Sequence, residues 1–176
     1  VALRPPWPIR ERLLSMMGGV TGARWQEDDQ LHITLRFVGA VETHVAEDVA
    51  AILGSVRHPP LDLRLYGCGM FDTRGRPNAI WAGVAPRDAL VALHRKIDAT
   101  LIRAGLVPER RSYTPHITLS RLPGSAGQVD RFLAEHAGLS SDIFRVDHMI
   151  LYDSSPGRGG AAYEPIARYP LTGSSF

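Results

Sequence analysis

The sequence predicts an α+β fold made by duplication, with two antiparallel sheets facing each other across a central groove and helices outside. Three observations predict it. The tetrapeptide His-Ile-Thr-Leu occurs twice, at positions 32–35 and 116–119. At average residue usage, a chance repeat of those four residues has a probability on the order of one in a thousand. Each copy is rich in strand formers, and each is preceded and followed by a stretch with helical spacing. The elements run roughly β-α-β-α-β-β-α-β-α-β-β, although the halves barely align outside the tetrapeptide.

Val1, Ala2 and Leu3 read as the end of a strand whose start is missing. Pro5, Pro6 and Pro8 turn the chain into a helix with Ile9, Leu13, Leu14 and Met17 on one face, stopped by Gly18 and Gly19. Residues 20–30 are polar and turn-like. Residues 31–38 form the first motif strand, closed by Gly39. Thr43 suits an N-cap, and Val45, Val49, Ile52, Leu53 and Val56 repeat at helical spacing until Pro59 and Pro60. Leu61, Leu63 and Leu65 then alternate with polar residues as a half-buried strand that continues irregularly through Gly67 and Gly69. A turn over 72–78 leads to a strand over 79–84.

Residues 87–104 form the longest helix, with Leu90, Leu93, His94, Ile97 and Leu101 on one stripe and Gly105 at its end. A loop over 106–115 precedes the second motif strand at 116–121. A short helix at 128–136, a strand at 144–152, a turn over 154–160 and a strand at 163–171, pairing back as a hairpin, complete the chain.

A chain of 176 residues fits one domain, or two small lobes sharing a core, and is expected to form a single two-lobed domain over 1–176. Hydrophobic content of 44% is that of a globular protein, and no apolar run reaches the length of a membrane span. With no basic-then-apolar leader, and with Cys68 as the single cysteine, a reducing cytoplasmic setting and a monomer are expected. The net charge of +2 forces no broad electrostatic footprint. Lys96 is the only lysine, so nearly every cation is a planar arginine fork suited to phosphate oxygens. Genome composition also explains much of that bias.

Side chains alternate faces along a strand, so His32 and Thr34 point one way while Ile33 and Leu35 are buried behind. By the same period Arg36 joins the first face, and Ser120 joins His116 and Thr118. Two imidazoles titrating near 6.5 divide acid and base work, and hydroxyls donate to phosphate oxygens. No carboxylate falls on these faces. That favours an anionic substrate over a hard metal, and two histidines alone fall short of a zinc ligand set, so neither metal nor cofactor is expected.

The stretch Leu31-His32-Ile33-Thr34-Leu35-Arg36-Phe37-Val38-Gly39 resembles the first motif of the RNA 2′,3′-cyclic phosphodiesterases, also called 2′-5′ RNA ligase-like proteins, of the two-histidine phosphoesterase superfamily. Tyr113-Thr114-Pro115-His116-Ile117-Thr118-Leu119-Ser120-Arg121 resembles the second, and Tyr163-Glu164-Pro165-Ile166 that family's C-terminal hairpin. The resemblance implies a bilobal α+β sandwich and metal-free opening of RNA 2′,3′-cyclic phosphates to 2′-phosphate ends. It implies His32 as proton donor to the leaving 3′ oxygen, His116 as the base that activates water, and Thr34 and Thr118 as phosphate holders. Arg121, beside the second motif, is a further phosphate candidate, although strict alternation points it away from His116.

Tyr113 and Arg111, just before the second motif, Arg74 and Arg76 in the turn over 72–78, and Trp81 on the following strand are candidate rim contacts for RNA. Phe37 shares the Ile33 face and is expected in the core, as are His94 and His148; His44, His58 and His136 are expected in solvent. The expected partners are RNA ends or nucleoside 2′,3′-cyclic phosphates, with no membrane. Ligation through a 2′-5′ bond, action on a small cyclic nucleotide, and non-catalytic binding of RNA ends stay open.

Overall fold

A computed structural model of the chain describes residues 1–157 and 160–173. Its elements are β1 (Ala2–Leu3), α1 (Trp7–Met16), β2 (Arg24–Trp25), a 3-10 turn (Asp28–Gln30), β3 (Ile33–Thr34), α2 (Thr43–Leu53), β4 (Leu61–Thr73), β5 (Arg76–Ala85), α3 (Arg87–Arg103), β6 (His116–Arg121), α4 (Asp130–His136), β7 (Phe144–Val146), β8 (His148–Gly157) and β9 (Gly160–Pro170). The fold is α+β, and every strand pairing among the described residues is antiparallel.

The strands follow one hydrogen-bonded path, β7-β4-β5-β6-β3-β1-β8-β9, with β2 added on β6. The two halves expected as facing sheets are therefore joined. The join is the pairing of Ile33 with Ile117, which sets the two motif strands side by side at the centre of the path. It is narrow, because β1 and β3 are two residues long.

Several boundaries differ from the sequence expectation; the first motif strand, expected over 31–38, shrinks to Ile33–Thr34. The turn-like stretch before the first motif supplies β2, whose Arg24 and Trp25 pair with Arg121 and Ser120. The single strand expected over 144–152 breaks at Asp147, so β7 pairs with β4 while β8 pairs with β1 and β9. The hairpin expected to turn over 154–160 keeps its ladder as far as Gly157 opposite Gly160.

One hydrophobic cluster spans both halves, combining Leu13, Val49, Leu53, Leu93, Ile97 and Leu101 of the helices with Leu63, Leu65, Ile80 and Met149 of the strands. Ile33, Leu35, Ile117 and Leu119, the aliphatic half of each motif, lie within it at 0–1% exposure. Burying each such side chain contributes about 2 kcal/mol, which anchors the strands whose other face carries the polar residues.

Candidate active site

The two motifs share more than four letters. In the first, burial alternates from Leu31 to Leu35; then Leu35 and Arg36 are both buried, and Phe37 is exposed. In the second, burial alternates from His116 to Leu119; then Leu119 and Ser120 are both buried, and Arg121 is exposed. The cause is the same kind of irregularity twice. The Leu35 and Arg36 N–H groups both reach the Val1 carbonyl, at 2.9 and 3.2 Å. On β6, Ile80 faces Ser120 while the next residue, Trp81, faces Thr118, so Leu119 is an extra residue in the ladder. A bulge inserts one residue and re-aims the side chains beyond it.

The register Ile33–Ile117 sets His32 across from Thr118 and Thr34 across from His116. The two histidines are thus diagonal neighbours, roughly 7–8 Å apart along the backbone. They share a small cleft of about 80 Å³ with Thr34, Thr118, Arg121, Gln26, Gln30 and Tyr163. Two larger cavities open from it. One, about 500 Å³, lies on the His32 side between Phe37, Val41 and Ala46 and the hairpin residues Tyr152 and Tyr163. The other, about 520 Å³, lies on the His116 side and includes Phe71, Asn78, Arg111, Tyr113 and Arg121.

Both imidazoles are set into walls of aromatic rings. His32 meets Tyr163 edge-on at 4.6 Å and Tyr152 at 5.8 Å. His116 meets Phe71 edge-on at 4.8 Å, with Trp81 behind at 6.3 Å. Nδ1 of His116 donates to the Thr114 carbonyl at 2.6 Å. A carbonyl only accepts, so the neutral ring carries its proton on Nδ1 and leaves the Nε2 lone pair free. Nδ1 of His32 is buried without a hydrogen-bond partner, and the Gln30 backbone favours the charged ring slightly.

Burial lowers the pKa of His32 to about 4, helped by positive charge at His116 and Arg4. Burial also lowers that of His116, opposed by the Thr114 hydrogen bond and reinforced by Arg121. The resting site is therefore poised with both rings neutral at pH 7. It offers one guanidinium, two hydroxyls and two imidazoles to an anion.

Residues 19–158 match the model of the 2′-5′ RNA ligase superfamily. The chain belongs to that superfamily. Among curated members, it is 30% identical over 143 residues to an RNA 2′,3′-cyclic phosphodiesterase of Aeropyrum pernix, covering 80% of this chain and 81% of that one. It is 30% identical to the Escherichia coli enzyme of the same name, covering 82% and 77%. Among solved structures, a phosphoesterase superposes with a TM-score of 0.80 at 28% identity, covering 98% and 96% of the two chains. E. coli LigT complexed with 3′-AMP superposes with a TM-score of 0.78 at 27% identity, covering 98% and 96%.

Against the fold of this superfamily member, several expected site residues move. Arg36 is absent from the cleft between the histidines: it is 7% exposed, its Nε donates to Asp98 at 2.7 Å, and it sits in the walls of both larger cavities. Ser120 is fully buried, its hydroxyl donating to the carbonyls of Arg24 at 3.1 Å and Arg121 at 3.2 Å. Arg121, re-aimed by its bulge, enters the cleft, and Phe37, re-aimed by the other, lines both larger cavities. Phe37, expected in the core, is 66% exposed.

Trp81 is no rim residue; its ring packs over Gly69, where any Cβ would overlap it, and against Phe71. Arg74 and Arg76 line neither cavity, because Arg74 and Gly75 form a tight hairpin turn with positive φ, at 54° and 76°, that carries them away. Arg111 does line the His116-side cavity, whereas Tyr113 is built into its wall. Nothing in the sequence pattern points to Gln26, Gln30 or Phe71. Elsewhere, His58 is buried rather than solvated. No helix among the described residues is long and apolar enough to cross a membrane.

Proposed function

We propose that the protein hydrolyses RNA 2′,3′-cyclic phosphate ends to 2′-phosphate ends, without metal, by divided acid–base work of two histidines. The observation that carries this is the pair itself: His116 with Nε2 freed by the Thr114 carbonyl, and His32 diagonally across one small cleft. The activity for which the Aeropyrum pernix and E. coli relatives are named supports the substrate class. The cleft's donor set supports metal independence, since its lining holds no carboxylate.

In this mechanism Nε2 of His116 takes a proton from water as the water oxygen bonds to phosphorus. The P–O3′ bond breaks, and Nε2 of His32 gives its proton to the departing O3′. Thr34, Thr118 and Arg121 hold the non-bridging oxygens, where negative charge grows. Phe37, an exposed ring that lines both larger cavities, suits stacking of the terminal base.

The test is turnover of a nucleoside 2′,3′-cyclic phosphate in excess chelator, with the product identified as the 2′-phosphate. Activity that vanishes with chelation, or a 3′-phosphate product, would defeat the proposal. His32→Ala and His116→Ala each abolish turnover while thermal melting shows the fold retained.

A further inference from the structure

α3 carries His94 and Asp98 one turn apart, and each touches both the end of the first motif and the segment that leads to the second. Nδ1 of His94 donates to the Leu35 carbonyl at 2.7 Å. Its ring lies flat on Tyr113, centroids 4.3 Å apart and planes within 8°. Asp98 Oδ1 accepts from Arg36 Nε at 2.7 Å and from the Glu109 N–H at 3.3 Å. Arg36 also donates to the carbonyls of Phe37 and Val107 and pairs with Glu109 at 3.5 Å. The segment between α3 and β6 is thus held at Val107, Glu109 and Tyr113 by groups that also hold Leu35 and Arg36.

The next residue, Thr114, supplies the carbonyl to which His116 donates. No strand or helix runs between Arg103 and His116, so no regular ladder fixes that carbonyl. A buried guanidinium held by carboxylates is costly to desolvate, and an aliphatic chain would fill the same space at less cost. The Tyr113 hydroxyl is buried without a partner, so its ring, not its oxygen, makes the useful contact.

We propose that His94 and Asp98 of α3, with Arg36 and Tyr113 packed on them, form a positioning unit that fixes the Thr114 carbonyl, and through it the tautomer and aim of His116, relative to the first motif. This rests on His116 acting as the base in the reaction proposed above. Arg121 and His32 act on His116 through their charge, and Arg36, Asp72, Glu109 and Arg111 line the same cavity; Phe71 and Trp81 pack against its ring.

The test compares Tyr113→Leu, Tyr113→Phe and Asp98→Asn with the wild type. The imidazole of His116 is titrated by NMR without substrate, and kcat and KM are measured separately on a nucleoside 2′,3′-cyclic phosphate. Tyr113→Phe keeps the ring and should keep the wild-type titration. Tyr113→Leu and Asp98→Asn should loosen the Thr114 hydrogen bond, so that His116 titrates at lower pH. With them kcat should fall about 10-fold and KM should change by less than about twofold, as expected for a misaimed base. An unmoved His116 titration in the Leu variant, a loss confined to KM, or identical behaviour of the Leu and Phe variants would overturn the positioning unit. A wild type inactive on the cyclic phosphate would instead overturn the functional reading, and the titration would still decide the positioning.

Discussion

Bound sulfate, a dianion, should move the titration of His32 upward by at least about three pH units. Without a ligand, burial holds this imidazole at about 4, so only about one ring in a thousand is protonated at pH 7. A general acid in that state is nearly useless. The cyclic phosphate proposed as substrate, however, would bring its own negative charge into the cleft. One unit charge at about 4 Å, in an effective dielectric of about 20, favours the imidazolium by about 4 kcal/mol. At 1.36 kcal/mol per pH unit, that is about three units, which brings His32 close to neutrality. Sulfate is the right probe because it holds no titrating proton of its own in this range. The assay is NMR titration of the His32 ring with and without saturating sulfate, with Arg121→Ala as the control that weakens anion binding. A shift below about one unit at demonstrated saturation would refute the idea that the anion charges its own acid.

Arg121→Ala should lower kcat/KM on a nucleoside 2′,3′-cyclic phosphate by about 100-fold, whereas Ser120→Ala should leave the rate alone and lower stability by about 1 kcal/mol in urea melts. Gly69→Ala drives a Cβ into the Trp81 ring behind His116 and should destabilise by about 1–3 kcal/mol, read from the thermal midpoint. Folding stability should also drop through His32 as the pH is lowered. Between the unfolded value near 6.5 and the folded value of about 4, the unfolded chain binds a proton that the folded chain refuses, so acid favours unfolding by about 3 kcal/mol. His32→Gln should remove that part of the fall; a melt series from pH 4 to 7 with parallel wild-type and variant curves would contradict it.

Strand alternation is enough to place His32, Thr34, His116 and Thr118 on one side of their strands, because the aliphatics between them have only the core to enter. The same counting fails two residues later. It puts Arg36 and Ser120 on the groove face because it assumes an unbroken ladder, and neither bulge has a sequence signature: Leu35 and Leu119 are ordinary strand residues. Hydrophobicity sends Phe37 to the core, yet the bulge, not the side chain's preference, decides where it points. The helices are legible from their apolar stripes, with ends shifted by up to three residues. The continuity of the two halves is not, since it depends on a single long-range pairing, Ile33 with Ile117, that no local pattern specifies.

The paired bulges also give the site a polarity. Up to its threonine, each half-site is a copy of the other, and a frame with that pseudo-twofold symmetry would seat a cyclic phosphate equally well in either direction. The symmetry is broken at the residue five places after each histidine, an odd spacing that an unkinked strand would send to the opposite face. One half offers a phenyl ring there and the other a guanidinium. In the reaction proposed above, the flat base and the charged phosphate of the nucleotide would fit this frame in one direction only. On that proposal, which histidine meets the leaving oxygen is decided by two side chains that never exchange a proton.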